Sequence, residues 1–207
     1  MGRRDKPRRP ARPIPFKDPK PRILVLSEGE VTEVQYLNGF AEACENPRVD
    51  VETIPAAGVP RTIVKECKRR KREAEDEARR KEDDNLRYDE VWAVFDIDEH
   101  PHIPDAMQMA EANDIRLAIS SPCIELWLYL HLRSQPGPQD RHQMLAKMKE
   151  CIAGYDKTVN YADYAKGYED AKRRAAQLEK TPPAKNDPVP NPSTGVWRLT
   201  ESIQQGS

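Results

Sequence analysis

Val91-Trp92-Ala93-Val94-Phe95-Asp96-Ile97-Asp98 runs five apolar residues straight into two carboxylates. A continuous apolar run fits a strand covered on both faces, the pattern of a parallel sheet. Ile23-Leu24-Val25-Leu26 reads the same way and stops at Ser27-Glu28-Gly29-Glu30. Val49-Asp50-Val51-Glu52-Thr53-Ile54 alternates before Pro55 and gives a second strand, and Ile115 to Ser120 gives a fourth. Helical stretches separate them: 32–44, with Thr32 and Gln35 spaced as a capping box, then Pro60 to about Asp83, then about Pro104 to Ala112. The alternation β-α-β-α-β-α-β predicts an α/β fold, a mostly parallel four-stranded sheet flanked by helices. Three helical segments follow, 123–133, about 140–151 and about 161–180, before a linker with five prolines at 182–192. The tail from Asn191 to Leu199 regains apolar character and is expected to dock back as a short helix.

The chain has 207 residues, 34 Lys+Arg against 35 Asp+Glu, and is 37% hydrophobic, which suits one domain with polar appendages. The expected division is a basic arm at 1–22, an α/β core at 23–135 and a helical C-terminal extension at 136–207. The arm holds nine Lys/Arg, two Asp and six prolines, a net +7 that could lie along a phosphate backbone or serve only as a solubilising tail. Helix 60–83 is densely charged, and its apolar positions thin out after two turns, so its second half is expected to project into solvent. No apolar run reaches the roughly 18 residues of a membrane span. Without an apolar h-region near the N-terminus, a cytoplasmic location is expected. The cysteines at 44, 67, 123 and 151 form no Cys-x-x-Cys pair and read as four reduced, buried or half-buried thiols.

Glu28 follows directly on the first buried strand, and Asp96 and Asp98 follow on the third. In open α/β sheets ligands bind beyond the carboxyl ends of the strands. Residues 96 and 98 point the same way in extended chain, so three carboxylates would converge and repel without a cation among them. A hard divalent ion such as Mg²⁺ answers that requirement. The plainer reading has the two aspartates capping the next helix or forming an Asx turn. Glu125 sits in an otherwise apolar helix, either as a supplementary ligand or orienting acid, or as an acid at a helix N-terminus. His100 is read as an outer contact or phosphate partner, His102 as a loop residue and His131 as a satisfied core histidine. Glu33 belongs to the Glu28-Gly29-Glu30-Val31-Thr32-Glu33 stretch, which argues for proximity to the site.

An apolar strand closing in Glu28-Gly29 and a later one closing in Asp96-x-Asp98 resemble the Toprim domain of topoisomerases, primases and overcoming-lysogenization-defect nucleases. Three longer stretches narrow the resemblance to the RloB family: Leu26 to Glu33, Val94 to His100, and Ser121-Pro122-Cys123-Ile124-Glu125-Leu126-Trp127-Leu128. Asn191-Pro192-Ser193-Thr194 belongs to the same pattern, while Ile124 stands where an aromatic such as Phe is expected. The resemblance covers roughly residues 22–203 and implies a Toprim-like, Rossmann-like fold. It also implies a Mg²⁺ (or Mn²⁺)-dependent nuclease acting on DNA or RNA in anti-phage defence, beside an AAA-type ATPase. It places metal on Glu28, Asp96 and Asp98, and Glu125 and His100 stand beside them as further catalytic candidates from their own positions in the chain. The alternative is a non-catalytic nucleic-acid-binding or signalling module with a structural metal. A haloacid-dehalogenase-type phosphatase is disfavoured, because Pro101 and His100 do not match the residue pattern that chemistry expects after its second aspartate.

Overall fold

A computed structural model describes residues 20–54, 60–97, 103–134, 136–185 and 187–205. Nearly all of the basic arm, together with Asp98, His100 and His102, lies outside the described residues. The elements run β1 (Ile23–Ser27), α1 (Thr32–Ala43), β2 (Val49–Thr53), α2 (Pro60–Lys81), β3 (Glu90–Asp96), α3 (Ile103–Glu111), β4 (Arg116–Ser121) and α4 (Glu125–Leu132). They continue as α5 (Arg141–Cys151), α6 (Tyr168–Leu178), β5 (Ser193–Thr194) and α7 (Val196–Gln204). One sheet of order β2-β1-β3-β4-β5 results, parallel throughout except for β5. This is the expected Rossmann-like α/β architecture, with one strand more than the sequence predicts.

The unbroken apolar runs follow from a sheet covered on both sides. Successive side chains of β1 alternate between two cores. Ile23 and Val25 join Trp92, Val94 and the residues of α1, α4, α6 and α7, while Leu24 and Leu26 join Val91, Ala93, Phe95 and the residues of α2 and α3. The four apolar residues of β1 are fully buried, so truncating one, as in Leu24→Ala, costs about 2–5 kcal/mol. Helix α4 is buried almost all round, Trp127 included, as its apolar sequence requires.

Four expectations are revised. The sheet gains β5, where Ser193 and Thr194 pair with Ser121 and Ser120 and the Ser120 and Thr194 hydroxyls lie 3.0 Å apart. Thr32 and Gln35 do not cap α1. The Thr32 hydroxyl donates to the Lys157 carbonyl (2.9 Å), and Gln35 Oε1 accepts from the Val159 N–H (2.7 Å). The segment expected as a helix over 161–180 opens with two 3₁₀ turns, Tyr161–Asp163 and Ala165–Gly167, before α6 begins. Helix α2 keeps Ala74 and Ala78 buried, so its second half also rests on the body, tethered near its middle by Arg70 to Glu52 and Lys71 to Asp114. The four cysteines are free thiols, two buried and two half-buried.

Candidate functional site

From β1 the chain steps outward to β2, then returns across the sheet to β3 on the other side of β1. The neighbours β1 and β3 therefore flank the topological switch point, where open α/β sheets leave a crevice at their carboxyl ends. Glu28 leaves β1 there with its N–H on the Val94 carbonyl (3.1 Å), and Asp96 ends β3 beside it. The Ile97 N–H continues the ladder to the Ser120 carbonyl at 2.8 Å, which holds Asp96 at the edge of the sheet. Glu28 is half-buried and Asp96 is buried.

Two further carboxylates line this edge. Gly29 donates its N–H to Ser27 Oγ (3.1 Å) and so turns the chain toward α1. A side chain on Gly29 would occupy the space taken by the Glu33 carboxyl group, so glycine is required for Glu33 to fold back over the turn. Glu33 is buried, and burial raises its pKa. A hydrogen bond from its own backbone N–H pulls the other way, the negative charge of Glu125 adds to the rise, and Lys157 and Arg141 oppose it. Glu125 is the first residue of α4 and is 3% exposed. Cys123 feels the same cluster: burial pushes its thiol up, and the charges of Glu125 and Asp96 push it further. It stays protonated and is no nucleophile.

The cations arrive from segments far along the chain. Arg141 opens α5 behind a capping box formed by Asp140 and Gln143, and its guanidinium stands 3.4 Å from the Asp96 carboxylate. Lys157 adopts a left-handed backbone (φ 75°), a conformation uncommon for a side chain of its kind. It is held there by the Thr32 hydroxyl on its carbonyl and by an Asx turn from Asp156 Oδ1 to the Thr158 N–H at 3.0 Å. Sequence reasoning missed both cations. The Asp140-x-x-Gln143 spacing was the legible signal for the first, and Asp156-x-Thr158 for the second.

Of the residues expected at the site, Glu28, Asp96 and Glu125 come to the same edge of the sheet, and Asp98 and His100 lie outside the described residues. Among the described residues, no group of three His, Cys, Asp or Glu is gathered tightly enough to hold a metal ion. The donors at the edge are nonetheless all carboxylate oxygens, the type suited to a hard divalent cation. His131 is a core residue, bonded through Nδ1 to the Tyr164 carbonyl (2.8 Å) and through Nε2 to the Tyr36 hydroxyl (3.1 Å).

Comparison with known proteins leaves the family as the informative likeness. No curated protein and no solved structure matches the chain. The family model described as "RloB-like protein" matches residues 23–203, from the start of β1 to the last turn of α7, and the chain belongs to that family.

Proposed function

We propose that the protein is a metal-dependent nuclease with a Toprim-like active edge, hydrolysing phosphodiester bonds of DNA or RNA in anti-phage defence. The observation that supports this most is the position of Glu28 and Asp96 at the β1–β3 switch point. Those two, with Asp98 two residues further along the chain, would hold Mg²⁺ or Mn²⁺. Such an ion supplies polarisation of a phosphoryl oxygen and an acidified water. The chain's own groups have separate roles. Arg141 and Lys157 offset the negative charge of four clustered carboxylates and of an incoming phosphate. Glu33, whose carboxyl pKa burial raises above the ordinary value, is the carboxyl group of the edge best suited to hold a proton. Arg141 also restrains Asp96 until substrate arrives. The family resemblance adds an AAA-type ATPase as the expected partner.

Purified full-length protein is expected to nick DNA or RNA with Mg²⁺ or Mn²⁺. Glu28→Ala and Asp96→Ala are each expected to lower the rate by at least about 100-fold with the fold intact by circular dichroism. Cleavage that persists in both variants removes these residues from the mechanism. Salt-sensitive binding without turnover under either metal would instead favour a non-catalytic nucleic-acid-binding module.

A further inference from the structure

A cleft of about 730 Å³ opens beside the acidic edge. Its floor is built where β3 and β4 end, by Ile97 and Pro122; the start of α5 supplies Arg141 and His142, and a returning strap supplies Pro188 and Val189. The strap is locked to the α5 side by a reciprocal amide pair. Asn191 Nδ2 donates to the Gln139 carbonyl at 2.8 Å, and the Gln139 N–H donates to Asn191 Oδ1 at 3.3 Å. That pair ties the strap to the start of α5 at the mouth of the cleft. Arg141 belongs to both places, lining the cleft and standing 3.4 Å from the Asp96 carboxylate.

We propose that this cleft holds one unpaired nucleotide adjoining the phosphodiester presented to Glu28 and Asp96, so that the protein selects single-stranded or looped nucleic acid. The proposal rests on the nuclease reading. The volume falls within the range of pockets that enclose one small organic ligand. Ile97, Pro122 and Val189 offer apolar walls for a base and its sugar, and Arg141 and His142 offer donors for the phosphate against the Asp140 and Asp187 carboxylates that share the lining. A base paired in a duplex cannot turn its face into such a recess, whereas an unpaired one can be splayed out of the stack. The recognised chemistry is that of a nucleoside phosphate, which either a strand or a free mononucleotide can bring.

The test uses the full chain in EDTA at one fixed salt concentration, so that binding is read without cleavage. The probes are a fluorescein-labelled single-stranded oligonucleotide, the same sequence as a duplex, 5′-AMP as competitor and inorganic phosphate as its control. The single strand is expected to bind more tightly than the duplex, and AMP to displace it where phosphate does not. His142→Glu should weaken strand binding about tenfold, the loss expected for one charge-assisted contact. His142 is exposed and lies at the second position of α5, where an acidic side chain is well tolerated. Lys149→Glu, in the last turn of the same helix, should leave binding nearly unchanged. Equal losses in the two variants, a preference for duplex, displacement by phosphate as effective as by AMP, or binding of AMP without the strand would each overturn the proposal. Cleft binding retained by a protein that never cleaves would refute the nuclease reading alone. Metal-dependent cleavage with strand binding unaffected by His142→Glu would refute the cleft alone.

Discussion

Acidifying the protein from pH 7 to pH 4 removes a stability contribution held by His131. Its ring is boxed by Tyr36, Trp127 and Tyr164, with centroids 5.5, 4.9 and 5.7 Å away. Nδ1 faces the Tyr164 carbonyl, which can only accept, so Nδ1 carries the proton and Nε2 accepts from the Tyr36 hydroxyl. A second proton would set an imidazolium in a dry site, and burial accordingly lowers the pKa from 6.5 to about 4. The unfolded chain takes up this proton below 6.5 and the folded chain only near 4, so stability falls as pH falls through that window. From these two values the loss relative to neutral pH is about 2 kcal/mol at pH 5 and about 3 kcal/mol at pH 4. Glu33 acts in the opposite sense. Its folded pKa is raised above 4.5, so its contribution is present at low pH and is lost as pH rises through the folded value. A wild-type profile sums both effects, and the informative quantity is the difference between wild type and His131→Gln in urea melts from pH 7 to pH 4. The variant starts less stable because it loses the ring packing, and its deficit should shrink by about 3 kcal/mol on reaching pH 4. A deficit constant to within about 0.5 kcal/mol across that range would refute the assignment of a neutral, desolvated His131.

Gly167→Ala would place a methyl group 3.0 Å from His131 Cα and closer still to the His131 carbonyl, which as backbone cannot swing away. A loss of about 1–3 kcal/mol, or more, is expected from thermal melts, and an unchanged melting temperature would contradict that contact. Glu125→Gln removes a like charge from beside Glu33, so the raised Glu33 pKa should move down toward 4.5; a ¹³C titration of the Glu33 carboxyl reads it, and an unmoved midpoint would separate the two groups. Gln35→Ala unties the Val159 N–H and should cost about 1 kcal/mol, with faster hydrogen exchange at that amide. Retained protection at Val159 would show that the 156–159 turn holds itself.

What was legible in the chain and what was not divide along one physical line. Ile23 to Leu26 and Val91 to Phe95 declared themselves because burial on both faces of a sheet demands an apolar residue at every position. The two polar residues of β5 have no period to display, and their partner strand lies more than seventy residues earlier. Thr32 and Gln35 show how a local rule is overridden: the capping-box spacing is present, yet both side chains bond to the 157–159 segment. The acidic edge follows the same division. Glu28 and Asp96 are set by where β1 and β3 end, a local property, so their convergence could be inferred from two strands alone. Buried or crowded carboxylates need compensation, and clustering so many of them at one edge made a cation a physical requirement. The cations within the fold, Arg141 and Lys157, are supplied by later turns of the chain, 45 residues beyond Asp96 in the first case. A sequence can therefore show that charge must be offset at an edge, while the identity of the offsetting group depends on how the chain returns. Arg141 stands 3.4 Å from the Asp96 carboxylate, so under the proposed function an incoming phosphate would have to compete with that carboxylate for the same guanidinium.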